Sequence, residues 1–172
     1  DKYRPIPDEI ADFHDEGVVV PFTDSPLDEE PVGENVYLNI INSAEDYVYI
    51  TTPYLIIDNE MQTALILAAK SGVDVRIITP HIPDKKAVFA VTRAHYRNLL
   101  RYGVKIYEYT PGFVHAKVFV SDSREAVVGT INLDYRSLYH HFECGTYLYA
   151  SPEVAKIEQD FHQTLAKCVR AD

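Results

Sequence analysis

The sequence predicts an α/β fold, a mixed, largely parallel β-sheet sandwiched between helices, and three observations carry that prediction. Strand-like apolar runs alternate with segments of helical period from about residue 34 onward. Gly72 and Gly103 stand where two of those helices should stop. A chain of 172 residues is long enough to close one domain around a sizeable core.

The elements follow in order. Residues 1–33 are rich in Pro, Asp and Glu and read as an acidic linker or edge segment with one strand at Val18 to Phe22. Residues 34–172 form the domain proper. Tyr37, Ile40, Ile41 and Ala44 fall at helical spacing, and "DYVYITTPY" is a buried strand ending at Pro53. Met61, Leu65, Ala68 and Ala69 mark a second helix closed by Gly72, and "VDVRIIT" is the next strand. Val88 to Leu100 is a third helix, Gly103 its stop, and "VKIYEY" a further strand. After two short strands around residues 115–129 comes "CGTYLYA", then a last helix with Val154, Ile157, Phe161, Leu165 and Cys168 on one stripe. Tyr54 and Tyr109, at strand ends, either line a pocket or simply pack.

Composition narrows the function. Sixteen basic against twenty-six acidic residues give a net charge of −10. Nonspecific nucleic-acid binding needs a basic footprint, which this chain lacks overall, so no nucleic-acid partner is expected. Broad adsorption to an anionic membrane is disfavoured for the same reason, and a lipid encounter would need a local patch or an anchor elsewhere. The chain begins at Asp1 and has no apolar run long enough to span a bilayer, and it reads as a piece of a longer protein. Cys144 and Cys168 have no metal-ligand spacing, and their pairing is left open. His140 and His141, being adjacent, point to opposite faces of a strand, so with Glu143 and Cys144 they make no convincing metal site. His14, His81, His95 and His162 carry no further pattern.

The chemistry concentrates in "GFVHAKVFVSDSREAVVGTINLDYRS". In an extended strand His115, Lys117, Phe119 and Ser121 share one face, and Ala116, Val118 and Val120 form the other, core-like face. An imidazole and an ammonium would then stand about 7 Å apart, suiting one large anion such as a phosphate between them. Val127 and Val128 form a second strand ending at Gly129, and Thr130 and Asn132 add a hydroxyl and an amide for the same oxygens. Asp122 is at an odd offset from His115, which turns it away from that face and gives it a structural part, pairing with a cation or capping a turn. Asp134 and Arg136 either pair with each other or leave Arg136 free for a lipid phosphate.

This spacing, His-x-Lys, four residues, Asp122, six residues, Gly129-Thr130-x-Asn132, closely resembles the HKD signature of the phospholipase D superfamily, with threonine where serine is common. "SGVDVRIITP", "YGVKIYEYTPGFVHAK" and "GTINLDYRSLYHHFE" extend the likeness to the C-terminal half of bacterial cardiolipin synthases. The resemblance implies a phospholipase D-like half and a phosphatidyltransferase that makes cardiolipin from two phosphatidylglycerol molecules through a phosphohistidine. The alternatives it leaves are a hydrolytic phospholipase, a homodimeric nuclease or a noncatalytic assembly half. It implies His115, Lys117, Asp122 and Glu143 as catalytic, with Lys117, Thr130 and Asn132 binding substrate and no metal or other cofactor. Glu143 would accept the second imidazole N–H of His115; a strand-end Glu facing solvent is the ordinary alternative. Because such sites join two motifs and this chain has one, the expected partner is the N-terminal half of the parent, or a symmetric copy. The parent would sit at the cell membrane with this domain on its cytoplasmic face, and the chain alone would be inactive.

Overall fold

In a computed structural model, which describes residues 16–82, 84 and 86–172, the sequence closes into one eight-stranded sheet with helices on both faces. The strands are β1 (Val18–Asp24), β2 (Tyr47–Thr51), β3 (Leu55–Ile56), β4 (Asp74–Pro80), β5 (Lys105–Tyr109), β6 (Val118–Ser121), β7 (Glu125–Gly129), β8 (Leu133–Asp134), β9 (Glu143–Tyr149) and β10 (Cys168–Arg170). The helices are α1 (Val32–Ser43), α2 (Asn59–Lys70), α3 (Lys86–Arg101), α4 (Tyr135–His140) and α5 (Glu153–Leu165). The sheet order is β1-β9-β7-β6-β2-β4-β5-β10, and β3 pairs with β8 in a separate two-stranded ribbon.

The α/β class and the mixed sheet between helices hold, but the sheet is not largely parallel. Two of its seven pairings are parallel, β2 with β4 and β4 with β5, and five are antiparallel. Parallel neighbours need a crossover helix between them, and α2 and α3 supply those crossovers. Beyond β5 a tight hairpin joins β6 to β7, and β9 and β10 also pair antiparallel although α4 and α5 precede them, so strands and helices still alternate but the parallel pairing of the first half does not continue.

Both faces of the sheet are buried. Tyr37, Ile40 and Ile41 of α1, Met61 and Leu65 of α2 and Leu99 of α3 pack with Ile50, Ile77, Phe119 and Val127 in the larger core. Phe119 stacks on Tyr37 with ring centroids 3.9 Å apart. On the opposite face Val154 and Phe161 of α5 close over Tyr49, Ile78, Val120 and Leu148. Hence β6 has two core faces rather than one core face and one phosphate face.

Local differences have local causes. Helix α5 ends at Leu165, and Cys168 opens β10 against Tyr109 instead of extending the apolar stripe. Cys144 on β9 and Cys168 on β10 lie toward opposite flanks of the sheet and are both free thiols, so they do not pair. Strand β1 is the edge expected near Val18 to Phe22, lengthened to Asp24, whose buried carboxylate accepts the Gly33 N–H at 2.7 Å at the start of α1. Tyr109 packs against the α5 core.

Candidate active site

The registers collect the motif on one edge of the sheet. Thr51 lies opposite Ile78 in β4 and Val118 in β6, Val118 lies opposite Val128, and Gly129 lies opposite Gly145. The carboxyl ends of β2, β4, β5 and β7 therefore share an edge with the amino ends of β6 and β9. His115 and Lys117 precede β6 there, Thr130 and Asn132 follow β7, and Glu143 opens β9. An open sheet has its ligand crevice at the carboxyl ends of its parallel strands, and this edge is that end.

His115 and Lys117 stand ahead of the regular strand, which starts at Val118, and they meet each other rather than leaving a phosphate-sized gap. Lys117 Nζ is 2.9 Å from His115 Nδ1 and donates to the His115 carbonyl at 2.5 Å. An ammonium can only donate, so Nδ1 carries the lone pair and the ring proton sits on Nε2. Lys117 is 8% exposed. Burial lowers its pKa, against the opposing fields of Glu143 and Asp134. Burial and then the Lys117 charge lower the pKa of His115, which Asp84 opposes. The resting imidazole is thus biased toward its neutral form.

Glu143 does not take the expected bond from His115. Its Oε2 accepts from the Thr130 hydroxyl, its Oε1 accepts from Ser137 Oγ at 2.6 Å, and His141 Nδ1 lies 3.5 Å from Oε1. The reason is α4: Asp134 caps it by accepting the N–H groups of Arg136 and Ser137, and this turns Ser137 inward. Ser137 Oγ also accepts the Asn132 N–H at 2.9 Å. Glu143 therefore ties Thr130 to α4 and acts on Lys117 through space. The sequence reading missed Ser137, although Asp134 three positions earlier is an N-cap spacing that would have revealed α4.

Asp122 lies at the far end of β6 and makes the turn-capping contacts that its parity suggested. Its carboxylate accepts the N–H groups of Glu45, Asp46 and Tyr47 at 2.8, 3.1 and 2.8 Å, tying the β6–β7 hairpin to the start of β2. Burial pushes its carboxyl up, but those three donors outweigh burial and hold it below the ordinary value. Its φ of 52° is left-handed, which Asp tolerates better than most residues.

Beside the motif lies an open cavity of 410 Å³ lined by Tyr54, Ile56, Asn132, Asp134, Arg136 and His141 among others. Asn132 Oδ1 is buried with no hydrogen-bond partner among the described residues. Tyr54 donates to Asp84 at 2.7 Å, and a ring sequence runs from Tyr54 to Phe113 at 6.4 Å and on to His115 at 5.7 Å. Tyr54 thus takes the pocket role that Tyr109 does not. Asp134 caps a helix rather than pairing with Arg136, leaving that guanidinium exposed at the rim. Among the described residues no His, Cys, Asp and Glu cluster has the arrangement of a metal site.

The family model described as "Cardiolipin synthase, PLD-like domain" matches residues 37–165. An uncharacterized protein of Streptococcus mutans is 58% identical over 171 residues, 98% of this chain and 37% of its own length. A cardiolipin synthase of Halalkalibacterium halodurans is 38% identical over 152 residues, 88% of this chain and 30% of its own. The chain thus spans about a third of these relatives' length. NUC from Salmonella typhimurium, a phospholipase D family member, has the same fold, with a TM-score of 0.77 at 17% identity covering 91% of this chain and 99% of that one.

Proposed function

From the premise that this chain belongs to the cardiolipin synthase family of phospholipase D-like domains, we propose that it is one catalytic half of a phosphatidyltransferase, building cardiolipin from two phosphatidylglycerol molecules through a phosphohistidine. The observation that carries this is the grouping of His115, Lys117, Thr130 and Asn132 on one edge of the sheet. A phosphodiester exchange needs a nucleophile, a proton for the leaving oxygen and positive charge around the phosphoryl oxygens. Lys117 supplies the charge, and Asn132 and the neighbouring N–H groups supply neutral donors.

His115 takes the proton-carrying role. Its lone pair at Nδ1 faces Lys117, and its N–H at Nε2 is directed elsewhere. An arriving phosphodiester anion draws Lys117 onto its own oxygens and sets its own negative charge beside the ring, offsetting the Lys117 charge that adds to burial in lowering the His115 pKa, so His115 can take up a proton from solvent and deliver it to the departing glycerol oxygen. The attack on phosphorus falls to the histidine of a second motif, carried by the remainder of the parent protein. His115 then withdraws the proton from the incoming hydroxyl of the second lipid as the phosphohistidine is opened. Water loses to that alcohol because the cavity beside Asn132 is closed by lipid and by the second half. The parent holds this half at the cytoplasmic face of the cell membrane. No helix of the described residues is long and apolar enough to cross a bilayer, so in this account the anchor belongs elsewhere in the parent.

Leaving-group rescue tests the assignment. In the complete enzyme, His115→Ala should lose transfer from phosphatidylglycerol yet still form a labelled phosphoenzyme from a phosphatidyl nitrophenyl ester, whose leaving group needs no proton. Loss of the phosphoenzyme with both substrates would make His115 the nucleophile instead.

A further inference from the structure

Tyr139 on α4 contacts two carboxyl groups at once. Its hydroxyl oxygen is 2.5 Å from Glu34 Oε2 and 2.5 Å from Asp58 Oδ2. A phenol has one O–H and can donate to only one of them. The other contact is attractive only where that carboxyl brings its own proton, because two bare carboxylates meeting at one oxygen repel each other. Glu34 is the better holder of that proton. It is 5% exposed, and its Oε1 has no hydrogen-bond partner among the described residues. Asp58 instead caps α2, accepting the Met61 N–H at 2.9 Å, a position that favours the ionised form.

The charged groups around Glu34 strengthen the case. Asp58 and Glu60 face it from α2 and Tyr139 from α4, while Asp24 sits beside it on the Gly33 N–H. All are acidic or neutral. Burial first, and next the hydrogen bond with Asp58, push Glu34 up to about 7. Burial also pushes Asp58 up, but its bonds with Glu34, Tyr139 and the Met61 N–H outweigh that and hold it below its ordinary value.

This triad anchors the part of the chain that shapes the site. Tyr139 lies two residues beyond Ser137, which receives the Asn132 N–H and donates to Glu143. We infer that Glu34 and Asp58 hold one carboxyl proton between them across the Tyr139 hydroxyl, which keeps its own, and that the three act as positioning residues, locking α4 onto α1 and α2 so that Ser137, Glu143 and Asn132 keep their places. The site function of the lock rests on the phosphatidyl-transfer reading above; the shared proton itself does not.

The sign of the pH effect follows from Glu34. Its folded pKa lies above the unfolded 4.5, so its contribution is fully present below pH 4.5 and is lost as pH rises through about 7. Glu34→Gln keeps a donor in place at every pH, whereas Glu34→Ala removes it.

Carboxyl carbon NMR of this chain, with the pH dependence of the unfolding midpoint of wild type, Glu34→Gln, Glu34→Ala and Tyr139→Phe, tests the shared proton. The expected result is a Glu34 titration near neutral pH, Asp58 ionised down to acid pH, and a midpoint of Glu34→Gln that gains on wild type as pH rises from 4.5 to 8. Ordinary titration of both carboxyls, or a constant midpoint difference across that range, overturns the proposal. In the complete enzyme the fall in turnover above neutral pH should be absent from Glu34→Gln and present at all pH values in Glu34→Ala. Parallel pH-rate profiles with the NMR result intact would overturn the positioning role while leaving the proton in place, and a failed leaving-group rescue would reassign the role of His115 alone.

Discussion

At the scale of single residues, the site depends on what Lys117 does to His115. Removing the ammonium should cost a factor of about 10²–10³ in turnover, the usual effect of losing one preorganised donor to a developing oxyanion, with Lys117→Met the variant to assay. The same substitution should raise the His115 pKa toward its ordinary value, as read by imidazole proton NMR, because the Lys117 charge is its second largest depressor after burial. An unchanged titration would mean that the contact at Nδ1 does not persist in solution. Asp122 and Glu143 should separate cleanly. Asp122→Asn weakens a charge-assisted acceptor of three backbone N–H groups and should destabilise the fold by about 1–3 kcal/mol in denaturant unfolding. Glu143→Gln should instead lower the rate of well-folded enzyme, since its carboxylate positions Thr130 and Ser137 and balances Lys117. The turn-capping place of Asp122 was legible in the sequence because spacing is a local fact, whereas the contact of Lys117 with His115 was not, because strand parity does not apply ahead of Val118, where the regular strand begins. The partners of Glu143 were not, because they depend on a turn of helix whose six residues leave little periodic signal.

At the scale of elements, the decisive join is β7 to β9. A Cβ on Gly129 would come within 2.4 Å of the Cys144 carbonyl oxygen and 2.7 Å of Gly145 Cα, so β9 leaves no room for a side chain at this position. Gly129→Ala should push β9 away, cost about 1–3 kcal/mol in stability, and lower turnover beyond that loss by displacing Thr130 and Glu143 together. Thermal unfolding and kinetics on the same preparation would check both effects. The helices and central strands were readable from period, as with the α2 stripe of Met61, Leu65 and Ala68. The pairing of β6, β7 and β9 was not, because an apolar run buried on both faces looks alike in a parallel or an antiparallel ladder. Two-residue strands such as β3 and β8 are too short to carry any pattern.

At the scale of the molecule, this chain presents His115, Lys117 and their supporting wall along one edge of the sheet. In-line displacement at phosphorus calls for a group on each side, and in this account the opposing side comes from the second half of the parent. Turnover of the complete enzyme should survive exhaustive chelation, since charge is supplied by Lys117; loss in EDTA with rescue by one divalent ion would contradict that. Whether this chain holds only half of a transfer site is decided by supplying labelled phosphatidylglycerol to this chain, to the remainder of the parent, and to the two mixed, then measuring labelled cardiolipin and free glycerol. Either part alone should give negligible product, the mixture should give transfer, and a mixture carrying His115→Ala should give none. Cardiolipin synthesis by these 172 residues as a verified monomer would contradict the half-site assignment.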